Sequence, residues 1–591
     1  MSPARDLRAG PNRGGTMKTL NISNKVVYQI YPKSFKDSNG DGWGDLRGVT
    51  QKLDYLAELG VDYIWLTPFF PSPQRDNGYD VADYRAVDPR YGTMADFEEL
   101  ACEARSRGIG IMLDMVLNHT STDHEWYRRA LAGEKRYQDY YFFRDGDPDK
   151  LPTNWTSKFG GPTWLWEPAV GKWRLHLFDP TQADLDWSNP EVRHELADIV
   201  RFWKEKGVSG FRFDVVNLIS KPEVFEDDHE GDGRRFYTDG PHVHEYLKEL
   251  VREAGIDGMM TVGEMSSTTL DACLGYTRPE DHELSMAFSF HHLKVDYKNG
   301  NKWELMPADL GELRRILSTW QEGMQAGGGW NALFWDNHDQ PRVVSRFGSD
   351  GELRVPSAKM LSLFMNLLRG TPYIYQGNEL GMTNAHFTSI DEYRDVESIN
   401  YYRILTEEEG KEPAEALRII AERSRDNART PMQWNSGANA GFTMGEPWST
   451  PARDAEGCDQ RVICAAAEVG EADSVFGFYK EVVRLRHEMP VVAHGKVRFL
   501  DAEAVPVLEY ARYGELSVGE RGDAAADGPQ EYGQAGSLLV VANFSPEEAS
   551  AGEQARQLAA SGEWEVLLSS HDGEPDLVHL RPYEGAVLLR K

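Results

Sequence analysis

At 591 residues and 40% hydrophobic content, the chain is too long for one small core, so two or three domains are expected. Its 95 acidic against 64 basic residues leave a formal charge of −31, which excludes nucleic acid and anionic membrane as partners. No apolar run approaches the roughly 18 residues of a membrane span, and four cysteines (Cys102, Cys273, Cys458, Cys464) in no metal spacing point to a reduced, cytoplasmic protein.

Residues 1–16 carry Arg, Pro and Gly but no apolar stretch of a signal peptide, and are expected to be a disordered extension, with Met17 as an alternative start. A first strand is predicted at 26–31. The loop after it, DSNGDGWGD (37–45), sets oxygen ligands at alternate positions: Asp37, Asn39, Asp41, the Trp43 carbonyl and Asp45. That pattern suits a structural Ca²⁺, or Mg²⁺, although the closing Glu of an EF-hand is replaced by Gly48. An amphipathic segment (50–60) leads to strands at 63–67 and 110–117. Residues 119–187 are rich in Trp, Gly, Pro and Asp without a clean period, so a small inserted domain is expected over one face. A helical segment (192–206) precedes strands at 210–216, 259–264, 285–290 and 331–336. A second helix (353–369) precedes the strand at 372–377.

Eight strands alternating with helices predict an α/β fold, a (β/α)8 TIM barrel. The barrel is expected over 17–118 and 188–495, with the insertion at 119–187 after strand 3. Beyond 495 the pattern changes to short alternating strands (505–513, 537–544, 563–570, 585–591) around an exposed Gly/Ala/Asp-rich loop at 517–536. This predicts a C-terminal antiparallel β-domain over 496–591, expected as a β-sandwich.

Several strands end on a carboxylate: GFRFD at Asp214, TVGE at Glu264, FWDNHD at Asp339. Strand ends converging at one barrel face form an active site, and paired carboxylates suit glycoside hydrolysis. Arg212, two residues before Asp214, lies on the same strand face and is expected to keep that carboxyl ionised as a nucleophile. Glu264, at the mouth of an apolar strand, suits a general acid. His119 and His338, each beside an Asn at a strand end, are candidate sugar ligands. His291, His292 and Lys294 follow another strand. In so acidic a chain this cationic cluster suits a phosphate. Arg234 and Arg235 follow an acidic loop with which they can simply pair.

The motifs DMVLNH, QADLDW, GFRFD, TVGE and FWDNHDQPR, in this order, resemble those of glycoside hydrolase family 13, the α-amylase family. With VVYQIYPKSF, DNGYDVADY, GTPYIYQGNELG and RDNARTPMQW they resemble its oligo-1,6-glucosidase-like branch over about residues 20–590. The resemblance implies Asp214 as nucleophile, Glu264 as acid/base and Asp339 as transition-state stabiliser. It implies sugar contacts for His119, Arg212, His338 and Arg425, and a pocket closed by Asp76 and Tyr79. Three segments (230–247, 261–270, 284–297) further resemble the phosphotrehalase group of that family, which implies a small sugar phosphate as the partner molecule. The expected reaction is retaining hydrolysis of α,α-trehalose 6-phosphate by a monomer. The alternatives are an oligo-1,6-glucosidase, which Val215 after the nucleophile suits, and a glucosyl-transferring trehalose synthase. Asp186 and Asn378 depart from the branch's pattern.

Overall fold

The computed structural model describes residues 21–452, 459–514 and 532–591. The expectations for residues 1–16 and for most of the 517–536 loop lie outside the described residues.

Eight short apolar runs form the parallel strands β1 (Val27–Ile30), β2 (Tyr63–Leu66), β3 (Gly110–Met115), β4 (Gly210–Phe213), β5 (Met260–Met265), β6 (Met286–Ser289), β7 (Ala332–Leu333) and β8 (Thr371–Tyr375). Each pairs with the next in chain order, and β8 returns to β1. The strands of a closed parallel barrel are covered on both faces, so they read as continuous apolar runs. Every residue of β1, β4 and β8 is buried. The seam is weakest between β6 and β7, where a single bridge, Ala287 to Asn331, closes the circle.

The helix α1 (Pro190–Glu205) shows how the outer ring is specified. The Asn189 side chain accepts from the Glu191 N–H, and Pro190 starts the first turn with φ already set. Val192, Leu196, Ile199, Val200 and Trp203 then form one buried stripe facing the barrel. The predicted 353–369 segment forms α2 (Arg354–Asn366), whose first residue after a predicted turn is buried like most of its length.

The insertion leaves the barrel on an antiparallel stem. His119–Ser121 pairs with Gln182–Asp184, with His119 opposite Asp184. Beyond the stem lies a three-stranded antiparallel sheet (Phe143–Arg144, Trp164–Glu167, Lys172–Leu175). The stem matters because both of its strands begin at the mouth of the barrel.

The C-terminal region is one five-stranded antiparallel sheet among the described residues, ordered 496–499, 507–513, 538–543, 585–590 and 564–569. The expected sandwich is therefore corrected. One face of the sheet packs on α2, where Tyr510 donates to the Phe364 carbonyl at 2.8 Å. A Cβ on Gly585 would lie 2.9 Å from Leu363 Cδ2. The other face is covered by the helix Glu553–Ala560 through Ala555. With both faces occupied, no second sheet is needed.

Candidate active site

The carboxyl-bearing strand ends meet at the C-terminal mouth of the barrel. Asp214 follows β4 directly, and its backbone N–H donates to the Met115 carbonyl of β3 at 3.0 Å. Glu264 is the fifth residue of β5. Val215, next to Asp214, has φ +35° and ψ +39°. A β-branched residue in the left-handed region is strained, and such strain persists only where surrounding structure holds it. Here it turns the chain sharply so that Asp214 stays at the mouth.

Arg212 organises the floor of the site. Its Nη1 donates to Asp114 Oδ1 and Asp214 Oδ1, both at 2.7 Å, and its Nη2 pairs with Glu264. The one guanidinium thus bridges the Asp214 and Glu264 carboxyls. The expectation that Arg212 alone keeps Asp214 low is corrected. Burial of Asp214 outweighs the guanidinium, and Glu264 and Asp114 add their repulsion, so its pKa is raised well above the usual range. Asp114 is fully buried and pushed up to about 6, chiefly by burial. It also accepts from Trp65 Nε1 (3.1 Å) and the Tyr79 hydroxyl (3.0 Å).

The opposite wall is built around Asp339. Arg429 Nη2 lies 2.5 Å and Arg425 Nη1 3.4 Å from its Oδ1. Burial pushes Asp339 up, but the guanidiniums of Arg425 and Arg429 prevail, so it stays far below the usual range and ionised. His338 is fully buried, and burial pushes its pKa down to about 3. Gln29 Nε2 donates to its Nδ1 at 2.8 Å, leaving the proton on Nε2. That Nε2 has no hydrogen-bond partner and lies 3.4 Å from Asp339. An unpartnered buried donor beside an ionised carboxylate is suited to a sugar hydroxyl. Tyr79 stacks on the His338 ring, 5.2 Å between centroids.

The insertion stem supplies the third wall. Gln182 Nε2 donates to Asp76 Oδ2 at 3.0 Å and lies 3.1 Å from His119 Nε2. Asp76 is 5% exposed, and burial raises its pKa to about 7 despite Arg425. Burial lowers that of His119 to about 4, so both imidazoles are neutral hydrogen-bonding groups near pH 7. Asp76, Tyr79, His119, Arg212, His338 and Arg425 are thus gathered with Asp214, Glu264 and Asp339 in one connected network.

The predicted phosphate cluster separates. It forms a short 3-10 turn, His291–Lys294. His292 is buried, its Nε2 2.9 Å from the Phe334 carbonyl, and burial lowers its pKa to about 4. His291 Nε2 lies 2.9 Å from the Thr268 carbonyl, and its ring stacks on Trp320 at 5.1 Å. The Nε2 atoms of both histidines therefore face backbone carbonyls, and burial lowers the pKa of both rings. Of the three predicted phosphate ligands, the two rings are thus drawn toward the protein's own backbone. Lys294 is exposed. Arg234 and Arg235 do pair with the acidic loop, at 2.5 Å to Asp232 and 2.9 Å to Asp228.

The 37–45 loop is closed by its own hydrogen bonds. Asp37 accepts from the N–H groups of Asn39, Gly40 and Gly42, and Asp45 caps a helix at the Gly48 N–H. Trp43 donates its N–H to Asp41. Among the described residues no three His, Cys, Asp or Glu side chains gather as a metal cluster. The donor chemistry nevertheless suits a hard cation, since each carboxylate oxygen keeps a second lone pair.

Four residues in these walls were not singled out by sequence reasoning. Arg429 lies one helical turn from Arg425 in the same motif, a spacing that signals it. Gln182 opens QADLDW. Asp395, which accepts from Arg425 at 2.6 Å, and Gln29 carry no local signal.

A carboxyl pair bridged by one guanidinium at a barrel mouth, flanked by an ionised carboxylate and hydroxyl-binding groups, marks a glycosidase. The chain belongs to the α-amylase family, whose catalytic-domain model matches residues 29–495. It is 50% identical over 572 residues to the trehalose-6-phosphate hydrolase of Escherichia coli (strain K12), covering 96% of this chain and 98% of that one. It is 45% identical over 495 residues to an oligo-1,6-glucosidase of Parageobacillus thermoglucosidasius, covering 82% and 87%. The crystal structure of Bacillus licheniformis trehalose-6-phosphate hydrolase superposes with a TM-score of 0.88 at 48% identity, covering 96% of this chain and 100% of that one.

Proposed function

We propose that the protein hydrolyses α,α-trehalose 6-phosphate to glucose and glucose 6-phosphate with retention of configuration. The observation that carries this reading is the Asp214–Glu264 pair bridged by Arg212 at the barrel mouth, with an exposed cation, Lys294, on the turn after β6 of an acidic chain. Near-full-length similarity to enzymes of that activity supports it.

The unphosphorylated glucose fills the pocket of Asp76, Tyr79, His119, His338 and Arg425. The Asp214 carboxylate attacks its C1 as Glu264 passes its proton to the bridging oxygen, which leaves as the anomeric hydroxyl of glucose 6-phosphate. Water then gives a proton back to Glu264 and attacks C1, releasing glucose and freeing Asp214. Retention calls for carboxyls about 5–5.5 Å apart. Asp339, held ionised by Arg425 and Arg429, accepts from the sugar hydroxyls and stabilises positive charge developing at C1.

The test is kcat/KM on trehalose 6-phosphate beside trehalose, isomaltose and p-nitrophenyl α-glucoside. A preference of ~100-fold over trehalose, about 2.7 kcal/mol of differential transition-state binding, is expected. A preference for isomaltose would make the enzyme an oligo-1,6-glucosidase.

We also propose that Asp37, Asn39, Asp41, Asp45 and the Trp43 carbonyl hold a Ca²⁺ (Mg²⁺ is the alternative) that stiffens the loop and takes no part in the reaction. Chelated protein is expected to melt earlier and to recover on adding Ca²⁺; unchanged melting would remove the site. No helix among the described residues is long and apolar enough to cross a membrane. The free thiols Cys102, Cys273 and Cys464 support a reducing, cytoplasmic location, and recovery in a secreted fraction would overturn it.

A further inference from the structure

The insertion brings to the mouth a lysine that no motif marks. Lys158 Nζ lies 3.4 Å from Ser266 Oγ, two residues past Glu264, and 5.5 Å from the centroid of the Tyr237 ring. Its backbone N–H donates to the Leu177 carbonyl at 2.8 Å. The next residue, Phe159, packs edge-on against Phe178 and lies under the Arg425 guanidinium, 5.3 Å away. The backbone at 158 is therefore anchored, and the side chain spans from the insertion to the end of β5.

Tyr237, under this amine, ends the short helix that Arg234 begins, and the His291–Lys294 turn reaches the Thr268 carbonyl, two residues past Ser266. Burial pushes the pKa of Lys158 down to about 8, with help from the charges of Arg234 and Lys294, against the single pull of Asp232. Asp232 is already paired with Arg234. Among the described residues, neither Lys158 nor Lys294 forms an ion pair. Lys158 and Arg234 share a single acid, Asp232, and Lys294 adds a third cation from a separate segment, an arrangement that repels itself until an anion arrives. The glycone pocket lies at Asp76, Tyr79 and His338, whereas the Lys158 amine reaches Ser266, two residues past Glu264.

We propose that Lys158 is a phosphate ligand which, with Arg234 and Lys294, forms a notch that holds the 6-phosphate of the departing sugar. This rests on the proposed hydrolysis of a phosphorylated disaccharide. It adds a specificity residue, contributed by the insertion, to a barrel whose carboxyl pair is indifferent to phosphate.

Lys158→Met and Lys158→Arg test it. The Met variant is expected to lose ~30-fold or more in kcat/KM on trehalose 6-phosphate, mostly through KM, against a few-fold at most on p-nitrophenyl α-glucoside. The Arg variant is expected to recover most of that loss. The wild-type preference for phosphate should decline above about pH 8, as the amine gives up its proton, and persist in the Arg variant. Equal losses on both substrates, or none on either, would overturn the assignment. Inorganic phosphate provides an independent probe of the notch, read as inhibition of turnover of the neutral glucoside. It should inhibit the Met variant about tenfold more weakly than the wild type. A wild type with no preference for the phosphorylated sugar, yet with inhibition that depends on Lys158, would sink the substrate reading and keep the notch. Inhibition equal in both would sink the notch.

Discussion

Asp214→Asn is expected to lower kcat by about 10⁴-fold or more while leaving the protein at least as stable as the wild type. The loss follows from chemistry: an amide oxygen cannot form the covalent glucosyl ester. The retained stability follows from electrostatics. Asp214 is raised by burial, and its carboxyl faces Glu264 and Asp114. A folded pKa above the unfolded one means that its contribution is fully present below the unfolded pKa. It is lost as pH rises through the folded pKa. At pH 7–8 the wild type therefore carries the penalty and the Asn variant does not, a gain on the order of 1–2 kcal/mol. Asn still accepts from Arg212 Nη1 and can donate its amide to Glu264. Steady-state kinetics and thermal melting at pH 5 and pH 8 check both halves. Activity within tenfold of the wild type would show another residue to be the nucleophile.

Arg212→Met is expected to act in the opposite sense on stability while also abolishing turnover. The guanidinium is the cation shared by Asp114, Asp214 and Glu264. Removing it strands like charges in a dry site, a change that typically costs about 3–5 kcal/mol. Without the cation these carboxyls take up protons more readily, so the destabilisation should be greater at pH 8 than at pH 5. Melting followed by circular dichroism reads it directly. A variant as stable as the wild type at pH 8 would mean that the carboxyls are neutralised by other means.

These two variants share one strand, yet differ in sign, because function here is built against stability. A nucleophile needs a dry pocket crowded with acids, and Arg212 offsets that crowding at a single point.

Much of this was legible along the chain. The eight barrel strands are apolar on both faces and stop at turns, so their existence follows from composition and period alone. The carboxylates stand at strand ends, and a closed parallel barrel brings strand ends together. Local order also identified Arg425, since its motif lies in sequence even though its target, Asp339, lies far away. The errors were of other kinds. The C-terminal strands were read correctly, but their alternation does not say what covers the second face, and α2 of the barrel does so in place of a second sheet. The HHLK run was read as three cations because charge is visible in sequence. Burial, which turns His291 and His292 toward backbone carbonyls and lowers their pKa, is not.

The sequence by itself determined the barrel, the insertion after the third strand and the acids of the site, because period and strand-end position are local properties of the chain. Only the tertiary structure decided which of those acids is ionised and which cations stand free. Asp339 is low because Arg425 and Arg429 reach it from a distant loop. Asp214 is high because it is buried beside Glu264 and Asp114, which come from two other strands. Lys158 reaches Ser266 because the insertion folds back over β5. Burial and charge proximity depend on segments far apart in the chain, and desolvation can reverse the sign that neighbours in sequence suggest.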